Sequence, residues 1–421
     1  MRPSILGEFL APVGLVGLSI VGLRFTGLRA FRSLRFLIIV FFIFAYWAFR
    51  GQQWLGWGDV SRAIATAKSC IIELTAFWAL FGFLGSAERA RTAVHQIAVV
   101  LTVLGLSSAV SSALSFAGLE SVISFAHFIR NPDWEESMVY VAQFPFSVFY
   151  GVVQGLSGNT LYRYTGGFTE AGIFPAFACW CLSYTWLTRC LSKRMFLGLL
   201  VGTLATFSTA AVLCIAVSLP SLGLLWTFSL KRMELVGKIL LVLTFMLFFV
   251  LGVVLVYYMP DVGLRDKSQT QTKSIDDRAL TIQNALTDLP SNIAGHPPNS
   301  DNDQQMICLL AATYSLGLVG TVLWFAKTAA IFLWAKRTPR FRGLAVSAAV
   351  IAALLVAQPI YDYNPIVIMS LMAAPLAFAN ASRTQHRHSS SSLHRTLSDS
   401  KVHSSTMRMP SKLPSEPSPL P

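Results

Sequence analysis

Residues 36–49 read FLIIVFFIFAYWAF, and residues 237–259 read GKILLVLTFMLFFVLGVVLVYYM. The first run has no charged residue, and the second has only Lys238, near its start. A helix needs about 20 predominantly apolar residues to cross a bilayer, and only helices and closed barrels satisfy their backbone groups in hydrocarbon. Neither run shows the period-2 alternation that is typical of barrel strands. These stretches predict an all-α, polytopic transmembrane helical bundle.

The rest of the chain repeats this pattern. Hydrophobic residues make up 54% of the 421 residues and charged residues 13%, about half the charged share of a soluble domain, which is roughly 25%. We predict about eleven spans, with ten to twelve compatible with the pattern. They lie near 5–23, 36–50, 69–87, 97–118, 170–188, 195–210, 212–230, 237–259, 305–326, 343–357 and 365–380.

The basic residues predict the orientation of the bundle. With eleven spans, most of them fall on one face, and the positive-inside rule makes that face cytoplasmic. The ones between spans are Arg24, Arg29, Arg32, Arg35, Arg89, Arg91, Arg189, Lys193, Arg194, Lys231, Arg232, Lys238, Lys327, Lys336, Arg337, Arg340 and Arg342. The net charge of +13 therefore indicates membrane orientation, and no nucleic-acid partner is expected because no compact basic domain exists.

This topology divides the chain into a transmembrane domain, 1–380, and a tail, 381–421. The tail is rich in Ser, Arg, His and Pro, so we expect a disordered, basic cytoplasmic segment. Two long loops, 119–169 and 260–304, fall on the outer face. Long loops are uncommon unless they are functional or disordered. The stretch 138–156 within the first loop could lie in the interface, re-enter the membrane or form a twelfth span.

The first outer loop ends in a group of candidate binding residues. Arg163 precedes the pair Gly166 and Gly167, which permits a tight turn and a close approach to a ligand, and Glu170 follows. A guanidinium presents a planar fork of donors to phosphate oxygens. Arg163 could therefore hold an anionic group, while Glu170 supports it. The alternative is an Arg–Glu pair that only fixes the start of the next helix.

The second outer loop contains an amphipathic stretch at 274–286. Ile275, Ala279, Ile282 and Leu286 recur at intervals of three and four residues, which predicts a short helix with one buried face. Arg278 lies one turn into this helix. His296 follows in an irregular segment and could act as an acid or base near neutral pH, although a solvated loop histidine is the simpler interpretation.

The sequence contains no motif that is typical of a metal or cofactor site. The six cysteines form no CxxC pair, and no metal-ligand cluster or P-loop appears. We therefore expect no metal and no cofactor. Glu73 is placed near the outer end of a span, where it could be solvated; an ionisable group at membrane depth would instead indicate function.

Five motifs follow in order along the chain: RYTGGFTEAG at 163–172, TFSTA at 206–210, DDRALTIQNAL at 276–286, GHPPNSDN at 295–302 and YSLGLVG at 314–320. Together they resemble the O-antigen ligase and polymerase family of bacterial envelope enzymes. The family's first motif has a proline where this chain has Ala171. The match covers roughly residues 160–325, and the order of the motifs and their shared outer-face location favour it over a likeness of fold alone.

The resemblance implies a metal-independent, integral-membrane glycosyltransferase in the bacterial inner membrane. Its donor would be an undecaprenyl-diphosphate-linked oligosaccharide, and the reaction would take place at the periplasmic face. Arg163 and Arg278 would bind the diphosphate, and His296 or Asp303 would act near the acceptor hydroxyl. A chain-length regulator and a flippase would be partners.

Two members of this family differ in their acceptor. A polysaccharide polymerase, for O-antigen or exopolysaccharide, joins carrier-linked repeat units, whereas a ligase transfers the glycan to lipid A core. The family's His-Asn pair before the span is not present in that form here, since His296 lies upstream and Asp303 occupies the nearer place. This difference favours the polymerase. A transporter is the alternative from another class, but the spans are expected to be nearly free of charge at mid-membrane, and no internal repeat is visible.

Overall fold

The structure, a computed structural model, describes residues 5–129, 139–145, 147–154, 160–165, 168, 171–188, 191–229, 234–259, 265, 272–297, 308–334 and 340–357. The predicted span at 365–380 and the predicted tail at 381–421 lie outside these residues. Most of the described chain is helical, as the sequence predicts.

Twelve α-helices cover most of the described residues. They are α1 (Ile5–Val21), α2 (Leu34–Gly56), α3 (Val60–Phe83), α4 (Ala87–Phe116), α5 (Glu120–Ile123), α6 (Ile173–Thr188), α7 (Lys193–Ala205), α8 (Thr209–Ser229), α9 (Leu235–Tyr258), α10 (Thr272–Asp288), α11 (Leu309–Trp334) and α12 (Arg340–Ala352). Two π-helical turns, Gly22–Thr26 and Ala353–Ala357, and one 3-10 turn, Leu28–Arg32, extend this set.

Six of these helices, α2, α3, α4, α8, α9 and α11, are long and apolar enough to cross a membrane. Ten of the eleven predicted spans overlap a helix, but not all of those helices are that long. Helix α7 has 13 residues and is therefore about 20 Å long, less than the roughly 30 Å of a bilayer core. The coarse prediction of a membrane-spanning helical bundle is supported, and the count of eleven spans stays a prediction.

The segment predicted as the first outer loop contains a β-sheet, which the sequence pattern did not predict. Strands β1 (Ser124–Ile129), β2 (Val139–Gln143), β3 (Ser147–Gln154) and β4 (Thr160–Tyr164) form an antiparallel meander in the order β1-β2-β3-β4. The stretch 138–156 is thus not a span. Its runs VYVAQ and SVFYGVVQ are rich in β-branched and aromatic residues, which favour strands.

Close contact between glycines joins α4 to α7. Gly105 lies so near Gly202 that a Cβ added to Gly105 would sit 3.0 Å from the Gly202 Cα. Gly198, one turn earlier on α7, packs against Thr102 in the same way. Small residues at four-residue spacing let two helix backbones approach closely, which is a common way for membrane helices to associate. The short helix α5 and then the sheet follow α4 in the chain.

We expect Gly202→Ala to destabilise the protein by about 1–3 kcal/mol, because the added methyl overpacks the α4–α7 contact. The measurement is the thermal unfolding midpoint in detergent. Gly51→Ala on α2 is the matched control, since a Cβ there meets nothing within 4 Å. Equal midpoints for the two variants would contradict the glycine-mediated packing.

Candidate functional site

Helix α11 is broken near its N-terminal end. Gly317 has φ 65° and ψ −178° inside the helix, which separates a first half, 309–316, from a second half that continues to Trp334. Such a break frees carbonyl groups at the end of the first half and N–H groups at the start of the second. A buried polar backbone group without a partner is costly, so the site is defined by what satisfies these groups.

The segment 292–296, here called the docked loop, fills the break. Leu318 donates its N–H to the Asn292 carbonyl at 2.8 Å, and Val319 donates to the Ile293 carbonyl at 3.1 Å. In the opposite direction, the His296 N–H donates to the Tyr314 carbonyl at 3.1 Å. The loop therefore pairs with both halves of the helix and bridges the break.

Asn292 also braces the loop with its side chain. Its amide nitrogen donates to the Tyr314 carbonyl at 2.7 Å, and its amide oxygen accepts from the Gly295 N–H at 2.8 Å. The side chain is buried, at 5% exposure. One residue thus holds the loop's own turn and the end of the first half-helix together.

Two side chains from α2 complete the set of donors. The Gln53 amide nitrogen donates to the Ser315 carbonyl at 3.1 Å and the Leu316 carbonyl at 3.2 Å, and it also contacts the Ala294 carbonyl. Arg50 donates from Nη1 to the Ser315 carbonyl at 3.1 Å and to the Gln53 amide oxygen at 2.6 Å. Helix α2 is therefore bonded to the docked loop and the break at once.

Glycines make this arrangement sterically possible. Gly295 has φ 85° and Gly317 has φ 65°, and each faces the other's segment. A Cβ on Gly317 would lie 2.8 Å from the Ala294 carbonyl carbon, and one on Gly295 would lie 2.6 Å from the Gln53 amide nitrogen. Both the backbone angle and the space exclude a side chain. The motifs GHPPNSDN and YSLGLVG, which are separated in sequence, thus meet at their glycines.

The docked loop leaves the His296 side chain exposed. Its ring centroid lies 5.1 Å from that of Tyr314, at an interplanar angle of 38°. The backbone N–H of the same residue is held by the Tyr314 carbonyl. His296 is therefore a ring on a fixed backbone that a ligand could reach.

Arg163 lies on another element, in strand β4, where it pairs with Gly151 of β3. It is half-buried. Its neighbour Tyr164 is fully buried; the Tyr164 hydroxyl shares a 2.7 Å hydrogen bond with Ser115 of α4 and donates to the Gln143 amide oxygen at 2.6 Å. Burial raises the pKa of Tyr164 to about 12, so its hydroxyl keeps its proton even near pH 10, where a free tyrosine is about half ionised. These bonds hold β4 and Arg163 on α4.

The remaining predicted site residues are less defined. Arg278 lies in α10, which packs against α11, but its side chain lies outside the described part of the structure. Gly166, Gly167, Glu170 and Asp303 also lie outside the described residues. The structure therefore brings the His296 segment, α10 and α11 together, and it places Arg163 on the sheet beside α4.

A buried ion pair lies within the helices, and it corrects two sequence interpretations. Lys327 of α11 lies 3.1 Å from Glu73 of α3, and both side chains are 3% exposed or less. Trp47 of α2 donates its indole N–H to Glu73, and the Lys327 nitrogen lies 4.2 Å from the centre of the Tyr46 ring. Lys327 is thus not a cytoplasmic end residue, and Glu73 is not near the end of a span.

The helix boundaries explain both corrections. Helix α3 begins nine residues earlier than the predicted span, because Asp59 caps it by accepting from the Arg62 N–H at 2.8 Å, and this places Glu73 near mid-helix. Helix α11 continues to Trp334, so Lys327 falls inside it. The expectation that the spans are nearly free of charge at depth is therefore wrong for this pair.

Sequence reasoning missed Arg50, Gln53 and Asn292. Arg50 and Gln53 stand three residues apart at the end of an apolar run, a spacing that puts them on one helix face. A polar pair on one face of an otherwise apolar helix is the signal that could have indicated them. In the part of the chain that the structure describes, no group of three or more His, Cys, Asp or Glu residues could hold a metal ion.

The chain was compared with protein families, curated proteins and solved structures, and none of the three comparisons gives a match.

We expect Gly317→Ala to lower the free energy of unfolding by about 2–5 kcal/mol, since it adds backbone strain and a clash with the docked loop. Thermal unfolding in detergent measures this. Gly118→Ala is the matched control, because Gly118 has φ 78° but open space around its Cβ position, and strain alone should cost about 1–2 kcal/mol. The prediction fails if the two variants unfold at the same temperature.

Loss of one charge of the buried ion pair should lower the free energy of unfolding more than loss of both charges. Glu73→Gln leaves the buried charge of Lys327 without its ionic partner, and Lys327→Met does the same to Glu73. We expect either variant to lower the free energy of unfolding by about 3–5 kcal/mol. The double variant should recover most of that loss, and a double-mutant cycle on unfolding midpoints measures the coupling. The exposed pair Asp59–Arg62, at 3.2 Å, provides the control; Arg62→Gln should cost about 1 kcal/mol or less. Additive effects of the two buried changes would contradict the pair.

Proposed function

We propose that this protein is a membrane glycosyltransferase that joins polyprenyl-diphosphate-linked glycan units, acting as a polysaccharide polymerase. The ligase reaction on lipid A core is the nearest alternative and needs the same donor site. In the predicted topology the docked loop, α10 and the sheet all belong to the outer face, which is the periplasmic side in a bacterial inner membrane.

The observation that carries this proposal is the contact between the docked loop and the broken helix. Two of the motifs on which the family resemblance rests, beginning at Gly295 and Tyr314, pack into each other and hold His296 exposed. Helix α10, which contains Arg278, packs on the same broken helix. Glycan transfer from a diphosphate carrier needs an acid–base side chain held on a fixed backbone and cationic groups that offset the charge of the leaving diphosphate. His296 on the docked loop and Arg278 on α10 are the candidates for these two roles.

The proposed chemistry is a single displacement. An acceptor hydroxyl oxygen attacks the anomeric carbon of the donor sugar, and the bond between that carbon and the diphosphate oxygen breaks. The leaving polyprenyl diphosphate takes the bonding electron pair, and Arg278 and Arg163 offset its charge. The hydroxyl proton passes to a base, for which His296, or Asp303, is the candidate. No oxidant, reductant or metal enters the balance.

Buried ionisable groups and broken helices are also features of transporters, which are the alternative class. In those proteins the free ends of a broken helix bind the transported ion or substrate. Here the carbonyls of Tyr314, Ser315 and Leu316 already accept hydrogen bonds from the chain's own groups. The ion pair is likewise neutralised within the protein. The described part of the structure thus favours a site outside the break over a pathway through it.

We expect Arg278→Ala to abolish long polymer while single repeat units still reach the surface, since loss of one charge-stabilising donor costs about 10²–10³ in rate. The measurement is the glycan profile of cells that lack the protein and are complemented with each variant. Arg62→Ala, an exposed arginine on α3, is the control and should restore the parent profile.

Purified protein gives the complementary measurement. With undecaprenyl-diphosphate-linked repeat units as the only substrate, a polymerase releases undecaprenyl diphosphate and forms a ladder of products, and EDTA leaves this unchanged.

In the cell experiment, polymer that accumulates on the carrier in deletion cells without reaching lipid A would instead identify a ligase. An unchanged glycan profile in the deletion would refute glycan joining in either form.

A further inference from the structure

We propose that Gln53 and Arg50 are positioning residues, which set the geometry of the glycan-transfer site by fixing the docked loop against the broken helix α11. This inference rests on the proposed function for its catalytic consequence. Its structural part, a link from α2 to residues 292–296, stands on the observed contacts alone. Neither residue belongs to a motif of the family resemblance.

Gln53 joins the docked loop to the broken helix through several hydrogen bonds. Its one amide nitrogen lies within hydrogen-bond reach of carbonyls on both sides of the contact, Ala294 in the docked loop and Ser315 and Leu316 at the break. Its amide oxygen in turn accepts from Arg50. The side chain is 8% exposed, so bulk water does not easily replace it as a donor. Removal of this amide would leave the loop and the helix joined at fewer points.

Arg50 places a buried positive charge at the break in α11. Its side chain is 3% exposed, and among the described residues its hydrogen bonds go to neutral oxygens, those of Gln53 and Ser315. A buried cation without a carboxylate is costly. The end of the half-helix 309–316 explains the cation, because carbonyls at a helix C-terminus carry a partial negative charge that a cation stabilises. Arg50 therefore acts as a charged cap on the break.

The residues that Gln53 and Arg50 bond lie one or two positions from His296 or from the residue that holds it. Ala294, which Gln53 contacts, is two residues before His296, and Gly295 between them is packed so closely that a Cβ would meet the Gln53 amide nitrogen at 2.6 Å. The His296 N–H is held by the Tyr314 carbonyl, next to the Ser315 carbonyl that Arg50 and Gln53 share. A shift of the break or of the loop would therefore move His296.

Arg62 offers a matched comparison for Arg50. Both guanidinium groups lie over the ring of Trp54, at 5.2 Å for Arg50 and 4.9 Å for Arg62. Arg62 is exposed and pairs with Asp59, whereas Arg50 is buried and bonds the break. Loss of either arginine removes one cation from the same tryptophan. Only the loss of Arg50 should affect the docked loop.

The experiment compares Gln53→Leu, Arg50→Gln, Arg50→Lys and Arg62→Gln in the purified full-length protein. Leucine keeps the approximate volume of Gln53 without its donors, and lysine keeps the charge of Arg50 and one donor for the Ser315 carbonyl. Each variant is tested for hydrogen–deuterium exchange of peptides that cover 291–297 and 314–320, and for kcat and KM with undecaprenyl-diphosphate-linked repeat units. Exchange rates report the local opening of these segments.

We expect Gln53→Leu to raise exchange in these two segments and to lower kcat about 10- to 100-fold, with KM for the donor changed less than threefold, because misplacement of about 1 Å near the reacting groups has effects of that size. Arg50→Gln should raise exchange in the same two segments, and an unchanged exchange in this variant would remove Arg50 from the proposal. Arg50→Lys, which keeps the charge, should keep most of the activity. Arg62→Gln should match the parent in both measurements.

Two results would overturn the proposal. Exchange in 291–297 that is unchanged in Gln53→Leu would show that α2 does not fix the docked loop. Increased exchange with unchanged kcat would show that the link is structural only. If the parent protein forms no glycan product, the proposed function fails, but the exchange comparison still decides whether α2 holds the loop, so the two failures are distinguishable.

Discussion

The structure depends on one constraint, which is that a helix broken inside a bundle must find partners for its freed backbone groups. In α11 the freed carbonyls of Tyr314, Ser315 and Leu316 accept from the docked loop and from α2. The freed N–H groups of Leu318 and Val319 donate to the same loop. Ser315 and Leu316 are buried, so water does not easily replace the partners of their carbonyls, and an unpaired buried carbonyl would cost several kcal/mol. The break thus dictates where the loop lies.

The buried side chains of Glu73 and Lys327 are under the same constraint, since a buried charge, like a buried backbone polar group, needs a partner. Each charge would be very costly alone in an apolar bundle, and the pair becomes tolerable because Trp47 adds a hydrogen bond and Tyr46 an aromatic face. Helices α2, α3 and α11 all contribute to it. These three helices therefore form one unit, and the same α2 and α11 contact each other again at the break.

The four-stranded sheet is attached to the end of α4. It is attached by hydroxyl and amide groups, with Ser111 donating to the Phe144 carbonyl at 2.8 Å and Tyr164 bonded to Ser115 and Gln143. Serines recur along the end of α4, where Ser107, Ser108, Ser111, Ser112 and Ser115 are all buried. Short polar side chains let the sheet lie close to the helix and still satisfy its polar groups. Arg163 takes its place from this attachment.

The sequence by itself determined that the chain is mostly helical and apolar enough to cross a membrane. Long apolar runs such as 36–49 are more favourable in hydrocarbon than in water, and a helix satisfies its own backbone hydrogen bonds there. It also predicted a helix at 274–286, since the spacing of apolar residues is local information. One member of the predicted buried face is wrong, because Leu286 is 43% exposed, whereas its neighbour Ala285 is buried. Only the tertiary structure decided that Gly295 meets Gly317, that Arg50 and Gln53 bond the break, and that Lys327 pairs with Glu73. Each of these contacts joins residues more than twenty positions apart, and no local pattern encodes which distant partner a polar group will find. The strands at 139–154 lie between these cases, because their β-branched and aromatic residues also suit a membrane interface, and only pairing with their neighbours made them a sheet.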